Sequence, residues 1–355
     1  MGGGNGDTKK ATAAITLDDS EAALHAHLQS FFKDRSAAQN LADLAQRDTL
    51  GQGTFGRVRL AHSDEASKSA DEVGMAHSGF FALKILKKSE IIRLKQLEHV
   101  ASERSLLLNK TNHPFIVKAY HTYKDERNLY MILEFVPGGE LLSIARANAS
   151  CFANDTAKFY AAQLVMALQY LHADNIIYRG MVPDNLLIDK MGYIKLVDFG
   201  FAKQFPPSAG EEQKTYTLCG TAEYLAPEIV NSKGHGKGAD WWALGIVIFE
   251  MLAGYPPFFA DNPFEIYQKI LKAQPKYPVR SHVDAAASAP FGRFATLFAE
   301  YLLATAPCPN SSADVPPSPR LALHPRPPRA TSISIFTRAS TARRGCLCQT
   351  RPRMG

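Results

Sequence analysis

Three glycines, a lysine, an asparagine and an aspartate stand along this chain in an order that suits the handling of phosphate. "GQGTFGRV" (51–58) places Gly51, Gly53 and Gly56 in a short loop. Glycines let backbone N–H groups approach phosphate oxygens closely. An apolar residue precedes the loop, Val58 follows it, and no helix opens at once, which disfavours the dinucleotide-binding version of this spacing. "FALKIL" (81–86) sets Lys84 inside an apolar strand, where a charge needs a partner; the segment after it offers Glu98 and Glu103. "LVDFG" ends a strand on Asp198, and Asn185 can add a second oxygen, a donor pair that suits magnesium. Singly, each residue reads equally well as a turn or surface residue. Their shared order on one chain argues against coincidence.

The elements that must position them follow from periodicity. Leu24, Leu28, Phe31 and Phe32 fit one helical face, which packs on the domain or lies loosely on its surface. Residues 50–60 and 79–86 predict strands, with "HSDEASKSADEVGMAHSG" between them as a polar loop. Residues 89–108 predict one helix. "LYMILEF" (129–135) predicts a buried strand ended by "PGG". In "NDTAKFYAAQLVMALQYLH", Ala161, Leu164, Val165, Leu168 and Leu171 share a face, and Asn154 or Asp155 suits the cap. "LLIDKMGYIKLV" predicts a hairpin, and residues 225–272 are mostly helical. Strands first and helices later predict an α+β chain of two lobes.

Composition bounds the rest. No segment reaches the roughly 18 apolar residues of a membrane span; "WWALGIVIFEMLAG" is interrupted by Glu250 and predicts a buried helix. No secretory signal is evident, and Gly at position 6 disfavours N-terminal acylation. Five cysteines without framework spacing, Cys346 and Cys348 among them, predict reduced intracellular thiols; the cytoplasm is the expected compartment, with the nucleus as an alternative. The net charge of +6 lies wholly in residues 281–355, which hold nine Arg, no Lys and three acids. The body is neutral, so nucleic acid is not an expected partner. Ten of the 21 prolines also fall beyond 281, and apart from a possible helix at 291–306 this tail is expected to be disordered.

The chain resembles the protein kinase superfamily, and within it the AGC group and the catalytic subunits of cAMP-dependent protein kinase. "LKQLEHVASERSLL", "NLYMILEFVPGGEL", "FYAAQL", "YLAPEIV" and "DWWALGIVIFEMLAGYPPFFADNPFEIYQKI" carry the likeness, over about residues 36–280. It implies a two-lobed protein kinase-like fold: an extension at 1–46, a small β-rich lobe at about 47–135, a larger helical lobe at 136–280, and a divergent tail at 281–355. It implies ATP and Mg2+ as cofactors. Gly51, Gly53, Gly56, Val58, Lys84 and Glu134 would surround the nucleotide, Lys84 would pair with Glu103, and Asn185 and Asp198 would hold magnesium. Thr217 matches a regulatory phosphosite for an upstream kinase, with Arg179, Lys203 and His99 as its cationic pocket. Glu140, Asp184 and Glu250 match acids that read basic residues ahead of a substrate Ser or Thr. Tyr216 and Tyr267 lie where a regulatory subunit or pseudosubstrate inhibitor docks.

The departures concern the chemical step. In "IIYRGMVPDNLLID" (176–189), Gly180 stands at the family's proton-accepting Asp and Val182 at its phosphoryl-neutralising Lys. Asp184 is already committed to substrate reading, and Thr221 is a poor base. Ala222 replaces a Pro in the substrate-seating segment. The first strand, "QRDTL", reads as shortened and the connection "HSDEASKSADEVGMAHSG" as lengthened. The last helices of the large lobe, the Arg partner of Glu228 and the AGC tail are not recognisable. Three readings follow: a pseudokinase that binds Mg-ATP, a working Ser/Thr kinase with an unorthodox base, or an unstable product of a divergent coding sequence.

Overall fold

The computed structural model describes residues 19–73, 78–148, 151–206 and 213–273. In chain order the elements are α1 (Asp19–Lys33), α2 (Ala37–Asp43), β1 (Ala45–Gln52), β2 (Gly56–His62), α3 (Asp64–Glu72), β3 (Phe80–Lys87), α4 (Lys88–Arg93), α5 (Leu97–Asn109), β4 (Ala119–Lys124) and β5 (Asn128–Glu134). There follow α6 (Leu141–Asn148), α7 (Asn154–Ala173), β6 (Ile176–Ile177), β7 (Leu186–Ile188), β8 (Ile194–Leu196), β9 (Lys203–Gln204), α8 (Pro227–Val230), α9 (Gly238–Ala253) and α10 (Pro263–Lys272).

β1 to β5 form one antiparallel sheet in the order β1-β2-β3-β5-β4. β3 lies at its centre and reads as an apolar run because both its faces are covered. β1 is not shortened: it spans eight residues, and two register shifts against β2 absorb its irregular sequence.

Two further expectations are corrected. The polar connection after β2 contains helix α3. Ser63 caps it by accepting from the Ala66 N–H, and Ala66 and Ala70, one turn apart, are buried. Their small side chains give little hydrophobic signal in a polar stretch. The single helix expected over 89–108 is two, α4 and α5, because Lys95 adopts φ 53° and breaks the ladder.

α1 is firmly packed. Leu28 and Phe32 are fully buried with Phe81, Tyr120 and Tyr123. The Phe32 carbonyl accepts from the Tyr123 hydroxyl and the Asn40 amide. His27 meets Ser69 of α3 at 3.0 Å, and Arg35 bridges Asp43 and Glu65. The inserted α3 therefore helps hold the N-terminal helix.

The larger core joins α7 and α9. Leu164, Leu168 and Leu171 meet Leu244, Val247 and Met251, all essentially buried. α7 is capped by neither Asn154 nor Asp155. Ala153 takes that position without a side-chain bond, and Asp155 instead pairs with Lys158 on the surface. The run at 241–254 is the expected buried helix, α9, which ends on Gly254 at φ 86°. Among the described residues no helix is long and apolar enough to cross a membrane. The expected helix at 291–306 and the C-x-C pair lie outside the described residues.

Candidate functional site

The β1–β2 turn carries the three glycines. Gly51 pairs with Val58 across the hairpin, and the Gly53 N–H donates to the Gly56 carbonyl at 2.9 Å. A Cβ on Gly56 would lie 1.8 Å from the Ile85 carbonyl oxygen, so only glycine fits there. That requirement comes from the approach to β3 rather than from a ligand. At Gly53 a Cβ would meet nothing within 4 Å, which leaves that backbone open to an approaching group.

Val58 faces Lys84 in the β2–β3 register. The Lys84 ammonium lies 2.5 Å from Glu103 Oε1 and 3.3 Å from Asp198 Oδ1. Of the two candidate partners, the structure selects Glu103, which is buried at 2% exposure. Glu98 faces solvent. The break at Lys95 sets the phase of α5 and so decides which glutamate turns inward. Burial opposes the Lys84 charge, but the Asp198 and Glu103 carboxylates outweigh it and push its pKa up.

Asp198 follows β8 at φ 58°, a left-handed conformation uncommon outside glycine. The Asn185 amide N–H donates to the Gly180 carbonyl at 2.9 Å. That bond fixes which way the amide faces and turns its oxygen away from the loop backbone. A carboxylate and an amide oxygen are hard donors of the kind magnesium takes. Among the described residues no group of three His, Cys, Asp or Glu forms a metal cluster.

The loop at 178–185 is held in detail. Asp240 of α9, 1% exposed, accepts the Tyr178 and Arg179 N–H groups at 2.9 and 2.7 Å and meets His172 at 2.8 Å. The Tyr178 hydroxyl donates to the Val197 carbonyl. Gly180 thus sits on a fixed backbone beside Asp198 with no side chain to offer, and Val182 presents no charge. A Cβ at 180 would come 3.0 Å from the fully buried Tyr178 ring. Sequence reading missed Asp240; an acid just ahead of an apolar run was its signal.

Arg179 (φ 56°) donates from Nε to the Phe201 carbonyl, and the His99 ring packs edge-on against Phe201. Lys203 donates to the Thr215 hydroxyl at 3.1 Å. Arg179, His99 and Lys203 therefore converge as expected, but the hydroxyl already among them is that of buried Thr215; Thr217 is half-buried. Burial and the neighbouring Arg179 lower the pKa of both His99 and Lys203. This is a site short of negative charge.

Glu140, Asp184 and Glu250 also converge. Burial raises the pKa of Glu140 and Glu250, and the nearby Asp184 raises both further. Glu250 is not an open carboxylate: it is 4% exposed, accepts from the Tyr224 hydroxyl and lies 3.8 Å from Arg146. Tyr216 is exposed, whereas Tyr267 is partly buried against the Ile246–Phe258–Ile266 cluster.

Known proteins agree with this geometry. The family described as the protein kinase domain matches residues 44–308, and the chain belongs to that family. It is 49% identical over 245 residues to the human cAMP-dependent protein kinase catalytic subunit PRKX, covering 69% of this chain and 63% of that protein. It is 48% identical over 250 residues to the Dictyostelium discoideum cAMP-dependent protein kinase catalytic subunit, covering 70% of this chain and 36% of that one. With the human putative serine/threonine-protein kinase PRKY it shares 48% over 247 residues, 70% of this chain and 82% of that protein. The chain thus spans about a third to four fifths of the length of these relatives.

Proposed function

We propose that this chain binds Mg-ATP but transfers its phosphoryl group weakly or not at all, and that it acts as a scaffold, a decoy or a trap for a regulatory subunit or pseudosubstrate inhibitor. One observation carries the reading. The loop backbone around position 180 is held by Asp240 and Asn185, while Gly180 supplies no proton acceptor. Gly53 leaves open backbone for the phosphates, Lys84 supplies a fixed cation, and Asn185 and Asp198 would hold the magnesium. The bound ion would neutralise phosphate charge.

Losing a positioned base costs about 10²–10⁴ in rate, and losing one preorganised charge donor costs roughly 10²–10³. The acids Glu140, Asp184 and Glu250 favour a second reading, a working kinase acting on Ser or Thr preceded by basic residues. Thr217 would be modified by another kinase, and its phosphate would draw on Arg179, Lys203 and His99.

Thermal melting with and without Mg-ATP, followed by single-turnover transfer to an Arg-containing Ser peptide, tests these points. Nucleotide at about 100 times its dissociation constant should add roughly 2.7 kcal/mol. A cooperative melt unmoved by nucleotide refutes binding. Turnover at roughly 1–100 s⁻¹, the usual kinase range, refutes the inactive reading.

A further inference from the structure

We infer that Lys195 is a positioning residue for nucleotide binding, acting through a buried ion pair with Glu134 that ties the two lobes together. The Lys195 ammonium lies 2.9 Å from Glu134 Oε1 and 3.2 Å from Oε2. The two side chains are 3% and 18% exposed. Glu134 closes β5, the last strand of the small-lobe sheet. Lys195 lies in β8, three residues before Asp198, between the fully buried Ile194 and Leu196. Glu134 Oε2 also accepts the Lys118 N–H at 3.1 Å, and the Glu134 N–H donates to the Lys118 carbonyl at 2.9 Å. The lysine therefore meets a carboxylate that the start of β4 already holds in place.

Backbone bonds flank this pair at the junction: one set crosses between the lobes, and the other ties the connection that leaves β5 to the large lobe. The Val117 N–H donates to Leu196 and the Leu196 N–H to Phe115. The Gly138 N–H donates to Ile188 and the Ile188 N–H to Gly139. The charge pair adds a directional side-chain tie to these crossings. A well-packed apolar pair often stabilises a fold as well as a buried ion pair does. What a charged pair adds here is a distance: the Lys118 N–H already holds the Glu134 carboxylate, and the buried ammonium must stay within reach of it or lose its partner. That distance sets the placement of the end of β5 relative to the strand that delivers Asp198. A nucleotide lying between those strands gains affinity from having the gap set in advance.

The inference rests on the nucleotide-binding reading, and the test separates the two. Binding of Mg-ATP and of adenosine is measured by calorimetry for wild type, Lys195→Met, Lys195→Arg and the apolar double variant Lys195→Met with Glu134→Leu. Amide exchange is followed at Val117, Gly138, Ile188 and Leu196, with α9 as the reference. Lys195→Met should weaken both ligands by about tenfold, within the usual span of positional coupling, and Lys195→Arg should recover most of the loss. Exchange at the four junction amides should rise relative to α9. Lys84→Met, by contrast, should weaken Mg-ATP and spare adenosine, because its cation answers to phosphate. Unchanged affinity for both ligands in a folded Lys195→Met protein overturns the inference. If that variant does not fold, the double variant takes its place: the same weakening supports the role and unchanged affinity overturns it. If wild type binds neither ligand, the nucleotide reading fails and junction exchange decides, with no rise on Lys195→Met overturning the tie.

Discussion

Two neighbouring regions of the cleft have parted company. On one side Lys84, Glu103 and Asp198 form a closed charge network around a fixed ammonium. On the other, the loop at 178–185 has its backbone bonds to Asp240 but carries Gly180 and Val182. Packing maintains the first region as well as any ligand, since Glu103 is buried and needs its lysine. The fold closes around Gly180 without a side chain there, since a Cβ would come 3.0 Å from the Tyr178 ring. The proposed loss of chemistry is thus compatible with an intact loop backbone, which is anchored from below by Asp240 of α9.

The sharpest way to break this contrast is to refill the loop. Gly180→Asp with Val182→Lys returns the proton acceptor and the charge to one transition state. Single-turnover transfer should rise by about 10³-fold or more, beyond the product of the single gains. A double variant that binds Mg-ATP yet stays inert would place a further lesion elsewhere.

Attacking the intact side should cost stability even without nucleotide. Lys84→Met leaves Glu103 buried and unpaired, and such losses run to about 3–5 kcal/mol. A urea titration of the nucleotide-free protein measures it, and an unchanged midpoint would show the network to be dispensable. Gly180→Ala should be milder, about 1–3 kcal/mol, as expected of overpacking against the buried Tyr178 ring. A neutral Gly180→Ala would mean that this ring can shift, and that a restored aspartate enters without strain.

The smallest expected effect is on acid stability. Burial, with smaller contributions from nearby cations, lowers His113 and His235 from 6.5 to about 4. Both histidines bind protons more readily unfolded than folded. Their contribution is full above about pH 6.5 and is lost as pH falls toward 4. Urea midpoints at pH 7 and pH 5 should therefore differ, and the difference should shrink in His235→Phe. An equal difference in that variant would assign the loss to other groups.

Much of this molecule was legible in the sequence where one residue type has one physical use. Glycine spacing, a lysine in an apolar strand and an aspartate at a strand end mark the β1–β2 turn and the Lys84–Asp198 pair, which lies 3.3 Å apart. The remainder depended on three-dimensional phase. Periodicity in "LKQLEHVASERSLL" does not choose Glu103 over Glu98; only the resemblance named Glu103, and the break at Lys95 is what turns it inward. α3 was hidden because its buried face is alanine. Lys195 reads as an ordinary strand-edge lysine until Glu134 comes within 3 Å of it. Thr215 was missed beside Thr217 because alternation along an irregular segment is not a reliable guide to facing.

The packing of α1 has a consequence for how the chain is made. The Phe32 carbonyl receives its bond from Tyr123, 91 residues later, and Gln29 donates to Ala119, 90 residues later. During synthesis the helix leaves the ribosome long before its seat exists. Leu28 and Phe32 must wait, uncovered, while some ninety residues are added, about 5–20 s at ordinary elongation rates of 5–20 residues per second. Closing so long a loop is slow. Helix α1 thus docks only after β4 has been made, and until then its apolar face is what a nascent-chain chaperone would meet.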